Sequence, residues 1–446
     1  MTEQARLHDK KVATELHRLS KSDDEYWAFR GRSTRHRMQG LTQYPAMMVP
    51  AMQAELMRTV TGAGQGMKSV FDPFAGSGTT LVESMRLGLD YTGYDINPLA
   101  VLFCKTKAGP FHTRRLKKAV RAVLEKAKTD RSRKAEADFP GLRKWFSPVA
   151  ITELSKIRRA IRDVDHIWCR RVLWTGLAET VRLTSNSRTS TFKLHIRSKE
   201  DLESRVVSPL ETFHSVMHEI SDRLEEEAEK LKAMGHISKN GHYRGNVNIR
   251  LCNSTEPDPK GDEHDLLVTS PPYGDNTTTV PYGQYSFLPL QWIDLKDIDE
   301  QAGEECTQSA YYIDGQSLGG YRNNPKRQMD DMLEISPSLK KTLHKLEKLP
   351  SDRKNRVAAF VHDLNASLGA VVPALRQHGY MIWTIGNRRV GGKQVPTDKI
   401  LRELLEAKGI RWVTRLDRKI PSKRMATRNS IASTMRREAI LVFRKA

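Results

Sequence analysis

The sequence predicts an α/β fold: a seven-stranded, mostly parallel Rossmann-like sheet carrying a large helical insertion. Three observations lead there. The run KSVFDPFAGSGTTLVESMRLGLDYTGYD, from Lys68 to Asp95, passes from a short apolar segment through a small-residue turn and a helical pattern into a second apolar segment, the β-turn-α-β unit of a parallel sheet. Five further strand-like runs follow residue 246. Between 103 and 245, apolar residues recur at helical spacing in a strongly basic background.

In chain order, residues 1–40 read as a basic N-terminal arm, helical in part, with Tyr26, Trp27 and Phe29 set among Arg and His side chains. Tyr44-Pro45 opens YPAMMVPAMQAELM, whose periodicity predicts a helix. A catalytic domain is expected over 41–102 and 246–446, interrupted by the helical insertion 103–245, a candidate for nucleic-acid recognition. Its first part predicts strands over Lys68–Phe71 and Tyr91–Tyr94, with a helix over Thr79–Leu87 between them. Within the insertion, Arg114 to Lys134 holds ten basic and two acidic side chains. Leu210, Phe213, Met217, Ile220, Leu224 and Leu231 keep helical spacing behind the cap-like pair Ser208-Pro209. The second part predicts strands at Val247, at Asp265, over Tyr380–Ile385, around Trp412 and over Ala439–Phe443, with helices over Ala358–Arg376 and Thr397–Lys408. The polar stretch from Gly274 to Arg356, rich in Gly and Tyr, predicts a break in the regular pattern.

Composition bounds the function. The 446 residues include 74 Lys and Arg against 53 Asp and Glu, a net charge of +21 that is the electrostatic footprint of a nucleic-acid binder. An anionic membrane surface would also attract such a chain, but no run approaches the ~18 apolar residues of a spanning helix, and the N-terminus lacks the apolar core of a secretory signal. Cys104, Cys169, Cys252 and Cys306 are scattered without metal-ligand spacing. Free thiols, no metal site and a reducing cytoplasm are therefore expected.

Two motifs carry chemistry. In DPFAGSGTT the small residues Ala75, Gly76, Ser77 and Gly78 let a ligand approach the backbone at a helix start. Asp95 closes the next strand, near the offset at which an acid takes ribose hydroxyls, so turn and acid make one nucleoside site. The competing readings are a tight turn with no ligand and a phosphate-binding P-loop; no GKS or GKT follows Gly78, which argues against the second. The other motif, TSPPY, ends a strand in a stiff loop, because each proline fixes its own φ and restricts the residue before it.

DPFAGSGTT together with YTGYDIN resembles the cofactor half of the amino-methyltransferases that use S-adenosyl-L-methionine, and TSPPY resembles their catalytic loop. Ser in the first position is similar to the DNA methyltransferases acting on the N4 amine of cytosine, whereas adenine-N6 enzymes more often carry Asp or Asn there. The resemblance implies that Asp72, Phe74, Ala75, Gly76 and Gly78 surround the methionine part of the cofactor, with Thr79 or Thr80 near its carboxylate. It implies that Asp95 holds the ribose, that Ile96 packs on the adenine, that Asn253 contacts the adenine amine and that Tyr44 to Met48 is the helix-start motif preceding the turn. The catalytic residues implied are Ser270, Pro271, Pro272 and Tyr273, with no metal. Ser270 Oγ and the Pro271 carbonyl would accept the two amine hydrogens, and Tyr273 would stack on a base flipped from the duplex. Many cytosine-N4 enzymes place the catalytic loop before the cofactor turn; here the order is reversed.

The expected partner is nucleic acid, DNA ahead of RNA, with a cognate restriction or defence-system partner as a further candidate. Three segments compete for its backbone: RLTSNSRTSTFKLHIRSK in the insertion; the stretch Gly274 to Arg327, with Tyr282, Tyr285, Tyr321, Arg322 and Arg327; and RKIPSKRMATRNSIASTMRR between the last two strands. Adenine-N6 and RNA amino-methylation are the rivals within the same chemistry, and a cofactor-binding nucleic-acid protein without turnover is the rival outside it.

Overall fold

The computed structural model of the chain describes residues 3–22, 25–30, 37–63, 66–256, 264–276, 278–320, 326–420 and 435–446. Its main sheet holds all seven predicted strands: β1 (Ser69–Asp72), β2 (Asp90–Asp95), β3 (Val247–Leu251), β4 (His264–Thr269), β5 (Leu375–Gly386), β6 (Ile410–Lys419) and β7 (Arg437–Lys445). Their order is β3-β2-β1-β4-β5-β7-β6, parallel through β5 and antiparallel at β7. Burial on both faces explains why β4 reads as an unbroken apolar run: Leu266 and Val268 face one core, Leu267 the other. Asp265 Oδ2 accepts hydrogen bonds from the Lys68 and Ser69 amides at 2.8 and 3.0 Å, tying the start of β1 to β4 so that both strands end at the same edge.

One face is covered by α1 (Glu3–Ser22), α2 (Pro50–Ala63), α3 (Thr79–Arg86), α4 (Pro98–Lys107) and the helices that follow, including Pro148–Arg162, Ile167–Thr184 and Pro209–Ala233. Helices Pro337–Leu346, Ser351–Val371 and Thr397–Ala407 cover the other. Ser208 caps Pro209–Ala233 by accepting from the Glu211 amide, as its sequence predicts. Much of the basic charge between 103 and 245 is spent internally: Arg158 and Arg162 pair with Asp294, and Arg170 with Asp297.

Several expectations change. The helix predicted from Tyr44 starts at Pro50. Each proline disfavours the helical region for the residue before it, so no helix runs from Pro45 through Val49-Pro50, whereas Pro50 suits a first helical position. Residues 3–22 and 25–30, from the segment expected as an arm, are laid along the antiparallel edge of the sheet: Val12 and Leu16 are fully buried, and Asp9 accepts from Tyr380 and pairs with Arg444. The helix expected over Ala358–Arg376 ends at Val371, ahead of Pro373, and Arg376 already lies in β5. Gly274 to Arg356 contains short helices, among them Tyr282–Leu290, Tyr312–Gln316 and Lys326–Ile335. No described helix is long and apolar enough to cross a membrane.

Candidate active site

The strand order reverses between β1 and β4, and in open parallel sheets a ligand crevice forms outside the carboxyl ends of the strands at such a point. A cavity lies there, its walls supplied from the ends of β1, β2, β3 and β4. It brings together Tyr44, Phe74, Ala75, Gly76, Thr79, Asp95, Ile96, Asn253, Ser270 and Pro272, residues that span more than half of the sequence. The other predicted site residues stand outside this lining. Asp72 is fully buried and accepts at Oδ1 from the Phe74 amide at 3.1 Å and from Thr269 Oγ1 at 2.7 Å, so it braces the turn against the end of β4. Thr80 is buried behind the turn, Gly78 supplies its left-handed corner (φ 78°), Pro271 is buried, and Tyr273, partly buried, packs against the second core.

The turn is held from three sides. Asp95 accepts from the Gly76 and Asn97 amides, both at 2.8 Å. Lys107, buried, donates to the Ser77 carbonyl at 2.6 Å, and burial pulls its ammonium down to about 8. Cys104 Sγ meets the Gly76 carbonyl, and burial pushes that thiol up. Burial likewise pushes the Asp95 carboxyl up to about 6, with the Asn97, Gly76 and Ile96 amides pulling the other way. Asp72 is also pushed up to about 6 by burial, opposed first by the Thr269 and Thr80 hydroxyls.

Sequence reasoning gave no cofactor role to several residues in and behind this wall. Asn97 donates to Tyr44 Oη at 3.2 Å and to Ser286 Oγ at 2.8 Å, while its own Oδ1 caps α4. Tyr282 packs on Tyr44 with ring centroids 5.7 Å apart, and Tyr285 is buried against Tyr44 and hydrogen-bonded to the Gln43 carbonyl; neither is placed to meet phosphate. Asn276 donates to Ser317 Oγ at 2.7 Å; Ser317 in turn donates to the Ile313 carbonyl, so Asn276 Oδ1 is left as a buried acceptor with no partner among the described residues. Only Asn97, directly after the YTGYDI run, carried a usable signal, as a polar residue before a proline at a helix start.

Beyond Ser270 the loop is clamped. Tyr273 Oη lies 3.2 Å from Ser270 Oγ and donates to Glu438 Oε1 at 3.1 Å. Burial, then the Glu438 carboxylate, raise the Tyr273 phenol well above its ordinary range. A Cβ on Gly386 would come within 2.6 Å of the Tyr273 ring, so only glycine there leaves the ring its place. Asp275 is buried and accepts from Arg388 at 2.9 Å.

These residues suit an adenosyl sulfonium cofactor. The cavity offers a carboxylate at a strand end for paired hydroxyls, apolar faces at Phe74, Ile96 and Leu318 for a ring, and an unsatisfied amide oxygen at Asn276 for an N–H donor. At Gly76 (φ 51°) a Cβ would meet no atom nearer than the Tyr44 ring at 3.7 Å, which leaves open room over the turn.

A family profile described as DNA methylase, covering the N6 and N4 types, matches residues 2–104. The chain is 30% identical over 454 residues to Type II methyltransferase M.MvaI of Kocuria varians, covering 98% of this chain and 97% of that protein. It is 32% identical over 95 residues to Type II methyltransferase M.MjaII of Methanocaldococcus jannaschii, 21% of this chain and 17% of that protein. Among solved structures, the rRNA methyltransferase aviRa of Streptomyces viridochromogenes covers 93% of this chain and 96% of its own at 12% identity, with a TM-score of 0.31, so the fold argument rests on the strand order itself.

Proposed function

The chain belongs to the DNA methylase family of amino-methyltransferases, whose methyl donor is S-adenosylmethionine, and on that premise we propose that it methylates the exocyclic N4 amine of cytosine in DNA. The observation that carries the choice of base is Ser270, where adenine-N6 enzymes more often have Asp or Asn, in the lining of the same cavity as Asp95. Incubation with labelled cofactor and DNA, then digestion to nucleosides, is expected to yield N4-methylcytosine. Label in N6-methyladenine would overturn the base assignment, and transfer to RNA but not DNA would overturn the polymer.

When bound, S-adenosylmethionine supplies a methyl group on a positively charged sulfur. The chain's own residues prepare the acceptor. An exocyclic amine is a poor nucleophile because its lone pair is conjugated into the ring; Ser270 Oγ and the Pro271 carbonyl, accepting its two hydrogens, make that pair more available. The two prolines hold these acceptors in one extended geometry. Tyr273 stacks against the flipped base, an interaction worth ~1–3 kcal/mol that offsets part of the unstacking cost. No thiolate is required.

Asp95 receives the ribose hydroxyls as an anion. Its carboxyl is raised to about 6 from an ordinary value near 3.8, so the proton favours the folded chain; this contribution to stability is fully present below the ordinary value and is lost as pH rises through about 6. Cofactor affinity has the opposite sign. Calorimetric titration is expected to show binding weakening as pH falls through about 6, and affinity unchanged from pH 7 to 5 would count against Asp95 as the ribose acceptor.

The DNA backbone is assigned to a cleft beside the catalytic loop, running past Thr278, Thr279 and the ends of β5 and β7. It is lined by Arg353, Arg389, Arg436 and Arg437, all exposed and without ion pairs among the described residues. Of the three segments nominated from sequence, the one between the last two strands borders this cleft through Arg436 and Arg437, and its residues 421–434 lie outside the described ones. Replacing any one of the four arginines by Ala should reduce the slope of log affinity against log salt by ~0.9 per lost phosphate contact, with kcat little changed. An unaltered slope in all four variants would place the backbone elsewhere.

A further inference from the structure

We propose that Glu438 is a positioning residue for methyl transfer: acting through Tyr273, it turns the Ser270 hydroxyl hydrogen away from the cavity and so presents that oxygen to the target amine as an acceptor. The inference rests on the assignment of Ser270 made above.

The argument is one of hydrogen-bond direction. Glu438 Oε2 is paired with Arg418 Nη1, the two side chains being 12% and 8% exposed, and Arg418 is itself fixed by donating from Nε to the Trp27 carbonyl at 3.1 Å. A carboxylate held by a guanidinium only accepts hydrogen bonds. Tyr273 Oη, 3.1 Å from Glu438 Oε1, must therefore give its single hydrogen to the carboxylate. Ser270 Oγ, 3.2 Å from the same phenol oxygen and with no other partner among the described residues, is left to donate to it. The chain of donors then runs from Ser270 to Tyr273 to Glu438, and the serine's free lone pairs face the cavity it lines. Without the carboxylate, Tyr273 could donate to Ser270 instead, and the serine hydrogen would swing toward the amine hydrogens, donor against donor.

The surroundings hold this polarity in place. Glu438 is the register partner of Gly386, and a Cβ on Gly386 would strike the Tyr273 ring at 2.6 Å and Met435 Sδ at 2.1 Å. One strand pair therefore sets both the carboxylate and the ring. Because Arg418 holds Trp27, the packing of residues 25–30 also reaches the catalytic loop by this route.

The test compares Glu438→Gln, Tyr273→Phe, their double variant and Ser270→Ala in the full-length protein, measuring kcat, the KM for DNA, and cofactor affinity by calorimetry. Glu438→Gln presents an amide that can donate to the phenol, and should lower kcat by roughly 10- to 100-fold with cofactor affinity within about twofold of the parent. Tyr273→Phe keeps the ring and the Glu438–Arg418 pair but breaks the chain; in that background, adding Glu438→Gln should change kcat by less than about twofold. A Glu438→Gln enzyme with parental kcat, or two losses that multiply in the double variant, overturns the proposal. Should Glu438→Gln fail to fold, Tyr273→Phe decides alone: a lower kcat at unchanged KM and cofactor affinity supports the chain, and full turnover overturns it. Ser270→Ala separates the two readings, since full turnover there refutes the serine assignment itself, whereas an inactive Ser270→Ala beside a fully active Glu438→Gln refutes only the positioning role.

Discussion

Ser270→Ala is expected to lower kcat by about 10²- to 10³-fold, the scale seen when one preorganised hydrogen-bonding group is removed from a reacting centre. Cofactor affinity should stay within about twofold, because the ribose acceptor Asp95 and the Gly76 turn follow β2 and β1, while Ser270 opens the loop after β4. The fold should tolerate the change. Ser270 is only partly buried, its one hydrogen bond goes to a phenol that keeps Glu438, and the loop remains anchored by Thr269 on Asp72 and by Arg388 on Asp275. Single-turnover transfer with calorimetry on the same preparation tests both halves. Equal losses in transfer and in cofactor binding would mean that Ser270 belongs to the cofactor wall and leaves the amine to another group.

The parts of this protein legible from sequence are those whose physics is local. A strand buried on both faces must be apolar along its length, and one that ends at a ligand crevice changes abruptly to acid, glycine or proline; Asp72, Asp95 and Ser270 each mark such a change. That is why the buried runs of β1, β4, β5 and β7, and the turn and loop residues that line the cavity, could be nominated from the chain alone. The hidden parts depend on partners far apart in sequence. Nothing near Tyr273 announces Glu438, 165 residues away, or near Ser77 that Lys107 will donate to it from a buried position. Helical spacing misplaced the helix start at Tyr44, since an apolar-periodic run reads as helix until its two prolines are given their weight. Charge is ambiguous in a similar way: Arg158, Arg162 and Arg170 add to the basic balance of the insertion, yet fold onto Asp294 and Asp297. Net charge reports how many cations a chain has, not which of them remain free after folding.

Asp95→Asn is the second change from which a large effect is expected, and it separates binding from architecture. The carboxylate serves two sets of donors: the Gly76 and Asn97 amides, already in place, and the ribose hydroxyls assigned to it. An amide of the same size keeps one acceptor oxygen and turns an NH2 toward donors. Losing two charge-assisted hydrogen bonds should weaken cofactor binding by on the order of 10²-fold or more. The apo fold should lose much less, because burial already disfavours the Asp95 anion, as its upward shift to about 6 records, and a neutral side chain escapes that cost. The expected pattern is a melting temperature close to the parent's beside a large fall in affinity, with the remaining affinity no longer dependent on pH around 6. Melting and affinity falling together would instead make Asp95 a brace for the Gly76 turn, and the ribose would need another acceptor.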